Sequence, residues 1–278
     1  DYQGRVWGAR GTAVAGTNTD LFFSTVGTLT DWTTDSSSVR IPGPGRVNTV
    51  IKAPALSSIM AAKDSGNMFA YNQFQLFDMS TDLGPSSPYS VGTSEGVAIY
   101  LSREGACMFL GKTPDLISDP IRRQIYNDAG EGIVGTVFGN APGVIHRDYW
   151  LCGVGTVTDN LTDRTVADCI LKYDISLDEW SNWKFANRPY SFHSFTDASG
   201  SQQLIFGDNG GQCYRLSGTA LTDNGSAIES ELMGVVHLGA PELDKEWGYV
   251  WAFTNPGCQA KIQVAPTDSF TKRTLNWI

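Results

Sequence analysis

Apolar and polar residues alternate with a period of two along most of this chain. The runs are short and end in Gly, Asp, Asn, Ser or Pro, which predicts many short β-strands joined by tight turns. A first cluster holds Arg5–Ala9 and Asp20–Ser24 and closes at the linker Ile41-Pro42-Gly43-Pro44-Gly45. Four strands follow at Asn48–Ala53, Ser57–Ala62, Asn67–Tyr71 and Phe74–Asp78, the inventory of one four-stranded sheet. The third cluster runs Gly96–Ser102 and Ala106–Leu110 and leaves through a polar crossover at Asp119-Pro120. A fourth contains Gly132–Phe138, Val144–Val154 and Asp168–Ile175, with an insertion-like loop around Val157–Thr165. The fifth has Tyr190–Thr196, Gln203–Gly207 and Gln212–Leu216, and a sixth is expected from Ala227–Leu238, Trp247–Phe253 and Ala260–Val264.

Six groups in this length repeat every roughly 45 residues, the spacing of radially stacked sheets. The expected fold is therefore all-β and β-propeller-like, with about five to six blades of antiparallel strands. It is read as a single domain over residues 1–278, with an antiparallel sandwich or two small β domains as the competing architecture. Recurring chemistry supports the repeat. Leu21-Phe22-Phe23-Ser24 is followed by Asp31-Trp32, and Tyr173-Asp174-Ile175 by Glu179-Trp180. Gln75-Leu76-Phe77-Asp78 has the same strand with no tryptophan after it. Trp32 and Trp180 are expected at equivalent places in two blades, each capping the gap between sheets while its N–H reaches a turn carbonyl. Asp174 and Asp208 are the acids expected at structural turns of the repeat.

Composition narrows the class. Of 278 residues, 41% are hydrophobic and 18% charged, enough apolar surface for a core and too little charge for a disordered chain. No apolar run approaches the roughly 20 residues of a membrane-spanning helix, so no membrane span is expected. A net charge of -9 without any Lys/Arg block argues against a cationic nucleic-acid groove. An acidic channel through which DNA passes transiently without sticking remains compatible with it. Cys107, Cys152, Cys169, Cys213 and Cys258 are widely spaced, form no CxxC pair, and are expected as buried free thiols, which fits assembly in a reducing compartment. The chain begins at Asp1 without Met and ends in the strand-like Asn276-Trp277-Ile278, which reads as part of a longer protein.

The candidate chemical sites reduce to structural readings. Phe206–Leu216 carries acidic and amide oxygens in a glycine-rich turn, yet Asp208 and Asn209 alone supply too few oxygens for calcium, so a tight hairpin is expected. Gly111-Lys112-Thr113 lacks the upstream glycine of a phosphate loop. His146, His193 and His237 have no metal-ligand spacing and are expected at strand ends or in the core. Asp119, Asp148, Asp174, Asp208 and Glu246 could supply a carboxylate pair only if the fold gathered them, and no GxSxG elbow is present. The sequons at Asn160 and Asn224 carry little weight in a chain rich in Asn, Ser and Thr. No catalytic residue, metal or cofactor is expected, and the chain is read as non-enzymatic.

Four phrases, in order along the chain, carry a family resemblance. They are Tyr2–Ala9 leading to Leu21–Ser24 and Asp31-Trp32; Val97–Gly105 to Gly111, then Leu116–Ile121; Lys172–Ile175 to Trp180, then Gln203–Asp208 to Tyr214-Arg215-Leu216; and Thr222–Ile228 continuing to Leu238–Pro241 and Lys245. Together they resemble the β-propeller proteins of tailed bacteriophages, the tail hub, nozzle or head-stabilisation proteins. The resemblance implies a virion part assembled in the host cytoplasm, a homo-oligomeric ring whose partners are other phage tail or portal proteins. It carries over no catalytic residue, and no family N- or C-terminal extension is in view. The rival from another class is a carbohydrate- or receptor-binding propeller that uses exposed Trp and Tyr, and less so a glycoside hydrolase.

Overall fold

The computed structural model describes residues 4–9, 20–28, 30, 38–53, 58–72, 75–125, 140–159, 164–217, 222–227, 262–264 and 273–275. The chain divides into two compact units, Asp1–Ala227 and Ile228–Ile278.

In the first unit, five antiparallel sheets follow one another along the sequence, each a meander whose spatial order is its chain order. Sheet one holds β1 (Trp7–Ala9), β2 (Asp20–Phe23) and β3 (Ser38–Arg40). Sheet two holds β4 (Val47–Lys52), β5 (Ile59–Lys63), β6 (Met68–Tyr71) and β7 (Leu76–Ser80). Sheet three is β8 (Gly92–Ser94), β9 (Val97–Leu101), β10 (Ala106–Phe109) and β11 (Asp115–Leu116). Sheet four is β12 (Gly143–His146), β13 (Tyr149–Asp159), β14 (Arg164–Asp174) and β15 (Glu179–Lys184). Sheet five holds β16 (Ser191–Thr196), β17 (Gln202–Gly207) and β18 (Cys213–Arg215). A two-residue ladder, β19 (Thr222–Asp223) with β20 (Ser226–Ala227), follows. In the second unit, β21 (Ile262–Val264) pairs antiparallel with β22 (Arg273–Leu275).

What makes this a propeller-like stack is the destination of alternate side chains. Successive residues of a strand point to opposite faces. In β5, Ile59 and Ala61 enter a core shared with Leu21 of sheet one, whereas Met60 and Ala62 enter a core shared with Tyr100 and Phe109 of sheet three. Strand β9 repeats the division, with Ala98 and Tyr100 packing toward sheet two and Ile99 and Leu101 toward Trp150 of sheet four. On the far side of sheet four, Leu151 and Ile170 meet Leu204 and Phe206 of sheet five. Sheets buried on both faces read as continuous apolar runs rather than strict alternation, as at Ile59–Ala62 and Val97–Leu101.

The first strands converge. β4 lies against β1, β12 against β8, and β16 against β12. Glycine permits this approach. A Cβ on Gly143 would sit 2.1 Å from the Ser90 carbonyl oxygen, and one on Gly92 would sit 2.6 Å from the Ile145 nitrogen. The fourth strands β7 and β15 carry mostly exposed or half-exposed residues. The fold is thus all-β and propeller-like, with five consecutive blade sheets among the described residues. One buried cation closes the linker onto sheet two. Lys63, at the end of β5, donates from Nζ to the Gly43 carbonyl at 2.5 Å, and burial pulls its pKa below the ordinary lysine value.

Several sequence expectations need correction. The run Val144–Val154 is two strands, because Arg147 adopts φ 54° and the chain reverses there. Val157, Thr158 and Asp159, with Arg164 and Thr165, expected in an insertion-like loop, belong to paired strands: β13 and β14 are 11 residues each and pair out to Asp159 and Arg164. Short β8 and β11 were not expected as strands of sheet three; two or three residues are too few to show a period. The segment Gly132–Phe138 and most of the expected sixth group lie outside the described residues.

Candidate functional site

Sheet four is locked to sheet three by two indoles. Trp150, fully buried on β13, donates Nε1–H to the Ser90 carbonyl at 3.2 Å. Trp180, on β15, donates Nε1–H to the Ile117 carbonyl at 3.0 Å, just past β11. The two rings meet edge to face, centroids 6.2 Å apart at 90°, and Tyr173 packs against Trp180 at 4.9 Å. Each indole packs a wide apolar face and directs its only polar atom to a carbonyl that flanks the neighbouring sheet, Ser90 before β8 and Ile117 after β11. Trp32 lies outside the described residues, so its equivalence to Trp180 has no counterpart here. Trp150 was not singled out in the sequence, where it is one apolar residue in an apolar run.

The carboxylates are clamps on hairpins. Asp174 Oδ1 accepts from the Ser176 amide (3.1 Å), the Ser176 hydroxyl (2.8 Å) and the Leu177 amide (3.1 Å). Asp208 Oδ1 accepts from the Gly210 and Gln212 amides, both at 2.9 Å, and its Oδ2 accepts from Asn187 Nδ2 at 3.0 Å and the Tyr214 hydroxyl at 3.3 Å. Asp197 does the same for the β16–β17 turn, accepting from the Ser199 and Ser201 amides, the Ser199 hydroxyl and Gln203 Nε2. These donors hold all three carboxyls below the ordinary aspartate value, led by the Ser176 hydroxyl for Asp174, the Gln212 amide for Asp208 and the Ser199 hydroxyl for Asp197. Hydrogen donors surround Asp208 on both oxygens, which is the environment of an anion clamp and the opposite of what a bound cation needs. The turn closes with Gly211 at φ 79°, the hairpin expected from Asp-Asn-Gly-Gly. Asp197 was missed, although Asp197-Ala-Ser-Gly and Asp208-Asn-Gly-Gly share one spacing that reveals it.

The other candidate acids occupy separate elements. Asp119 opens a one-turn 3-10 segment after β11, and the Asp148 carbonyl accepts from the Ile175 amide at 2.8 Å. Glu246 and His237 lie outside the described residues. His146, buried at the end of β12, shares a 2.9 Å hydrogen bond between Nδ1 and Ser194 Oγ of β16, while His193 is exposed on β16 and stacks on Phe195. Burial, with the Arg147 charge, lowers the His146 pKa, so the ring is neutral at neutral pH and ties two first strands together. Among the described residues, no group of three or more His, Cys, Asp or Glu could hold a metal ion. Cys107, Cys152 and Cys169 are buried free thiols, and burial pushes Cys107 up to about 11. Cys213 departs from expectation: it is exposed, on the short strand β18 of sheet five. Cys258 lies outside the described residues. No helix among the described residues is long and apolar enough to cross a membrane.

Where β8, β12 and β16 end side by side, a small polar mouth opens, with a volume of about 190 Å³. Ser94, Arg147, Thr196 and Gln202 lie on its wall together with Phe195. The turns after β8, β12 and β16 share this rim, and strand alternation brings the β10–β11 and β14–β15 turns to the same end. Leu110 and Leu177, on those latter turns, are 51% and 65% exposed.

No family model matches the sequence, and no curated protein matches it. Among solved structures the chain is similar to BBS1N in its complex with ARL6DN, soaked with mercury. The identity is 11%, 73% of this chain and 60% of that chain are covered, and the TM-score is 0.47. It is also similar to the Neurospora crassa Pan2 WD40 domain at 14% identity, covering 74% of this chain and 56% of that one, with a TM-score of 0.45. The chain thus spans 60% and 56% of the lengths of those two chains. The shared cores and converging first strands place the chain among all-β, propeller-like folds.

Proposed function

We propose that this chain is a non-enzymatic structural protein of a tailed-phage virion, part of the tail hub, nozzle or portal–tail connector. In that role it closes or extends the DNA channel as a ring of identical subunits. The phage assignment rests on the four sequence phrases; the observation that supports a scaffold rather than a catalyst is the use of the carboxylates. Asp174, Asp197 and Asp208 each accept three or more hydrogen bonds, most of them from their own turns. A general acid needs a raised pKa and a free proton, and these groups have lowered ones. Turns bearing exposed Leu110 and Leu177 at one rim, the latter clamped by Asp174, suit contact with neighbouring proteins. The net charge of -9 suits a wall along which DNA slides.

The test is the mass in solution and the cryo-EM image of the full-length protein. Rings of identical subunits that dock coaxially onto tails or portals are expected. A monomer at every concentration, with no affinity for tail or portal proteins, overturns the reading. A second reading, recognition of a carbohydrate or receptor, is favoured by the polar mouth with Phe195 at its edge.

A further inference from the structure

The mouth between β8, β12 and β16 combines polar side chains with one aromatic ring. Ser94 and Thr196 bring hydroxyls and Gln202 a carboxamide, Phe195 brings a ring that is 38% exposed, and Arg147 brings the cation. The Arg147 amide donates to Gln202 Oε1 at 3.0 Å, so the turn and β17 are fixed to each other and the Gln202 carboxamide keeps its N–H donors for another acceptor. Arg147 also holds a left-handed backbone, φ 54°, where an arginine is uncommon. Guanidinium plus neutral donors make a site for an oxyanion, and a partly exposed aromatic face beside hydroxyls suits a sugar ring. A volume of about 190 Å³ falls below the usual small-molecule cleft, so the occupant is a single residue rather than a chain.

We propose that this mouth binds one carboxylate-bearing sugar unit, with Arg147 on the carboxylate, Ser94, Thr196 and Gln202 on the hydroxyls, and Phe195 against the ring. The proposal rests on the recognition reading and is independent of ring formation. Its test is saturation-transfer NMR and calorimetry on the full chain with galacturonate, N-acetylneuraminate, galactose, acetate and inorganic phosphate. Binding of one of the two acidic sugars is expected, with galactose weaker by about tenfold or more, the scale of one charged hydrogen bond. Arg147→Asn, which suits a left-handed φ, is expected to abolish that preference while leaving the unfolding midpoint in place. Phe195→Ala is expected to weaken sugar binding and spare acetate. Should Arg147→Asn fail to fold, Thr196→Val replaces it, with several-fold weaker sugar binding expected.

Three outcomes overturn the site: no acidic sugar binds at millimolar concentration, acetate or phosphate binds as well as the acidic sugar, or Arg147→Asn leaves the preference intact. Any of them in a protein that still forms rings sinks the mouth and leaves the assembly reading standing. Rings that fail to form while acidic sugar binds do the reverse.

Discussion

Strand β5 and the hairpin Asp197–Ser201 are held in opposite ways. All five residues of β5 are buried, four of them apolar and divided between two cores, so position is set by area removed from water. In the hairpin, Ala198, Ser199, Gly200 and Ser201 are exposed, and one carboxylate gathers three neighbouring donors to fix the turn. Stacking is therefore bought with apolar volume, and turn geometry with local hydrogen bonds. The apolar part of the first resists substitution and carries no titrating group, Lys63 at its end being the exception; the second tolerates change of sequence around the acid but follows its titration.

The largest effect expected from breaking this contrast is at Trp150. Trp150→Ala removes a fully buried indole between sheets three and four and strands the Ser90 carbonyl, for a loss of about 3–5 kcal/mol in denaturant unfolding. Gly143→Ala comes next. Its new methyl meets backbone at 2.1 Å, and overpacking at the convergence of first strands costs about 1–3 kcal/mol by the same assay. Trp180→Phe keeps most of the apolar face and deletes the N–H to Ile117, so a smaller loss of about 1–2 kcal/mol is expected.

The turns give the smallest effect, visible in its pH dependence. The folded pKa of Asp208 lies below its ordinary 3.8, so its contribution is fully present above that value and is lost as pH falls through the folded pKa. Asp208→Asn is expected to lower the melting temperature at pH 7, where the carboxylate's contribution is fully present, and to converge with the parent chain below about pH 4, so that its acid limb is flatter. An unchanged acid limb in the variant would assign the turn to its glycines instead.

The same contrast explains what the sequence made legible. Sheets two and five are readable because each strand carries enough alternating or apolar residues to show its period, and Asp208-Asn-Gly-Gly announces its turn. Strand β8, only Gly92-Thr93-Ser94, has no apolar side chain and exists because β9 and the neighbouring β12 hold it. The break at Arg147 was hidden because an arginine in left-handed backbone is no turn signal, and it divides what reads as one long strand. For the mouth, Ser94, Arg147, Thr196 and Gln202 come from three sheets, and no spacing in one dimension joins them. The role of Trp180 in bridging sheets follows from indole chemistry, but its acceptor, Ile117, lies 63 residues away.

Native-state hydrogen exchange tests the shared-core architecture most directly. If alternate residues of one strand serve two cores, the sheets cannot open singly, and the amides of β5, β9, β13 and β14 are expected to exchange slowest with one common opening free energy. Opening of sheet two at a free energy well below that of sheet four, with sheet three undisturbed, would contradict it.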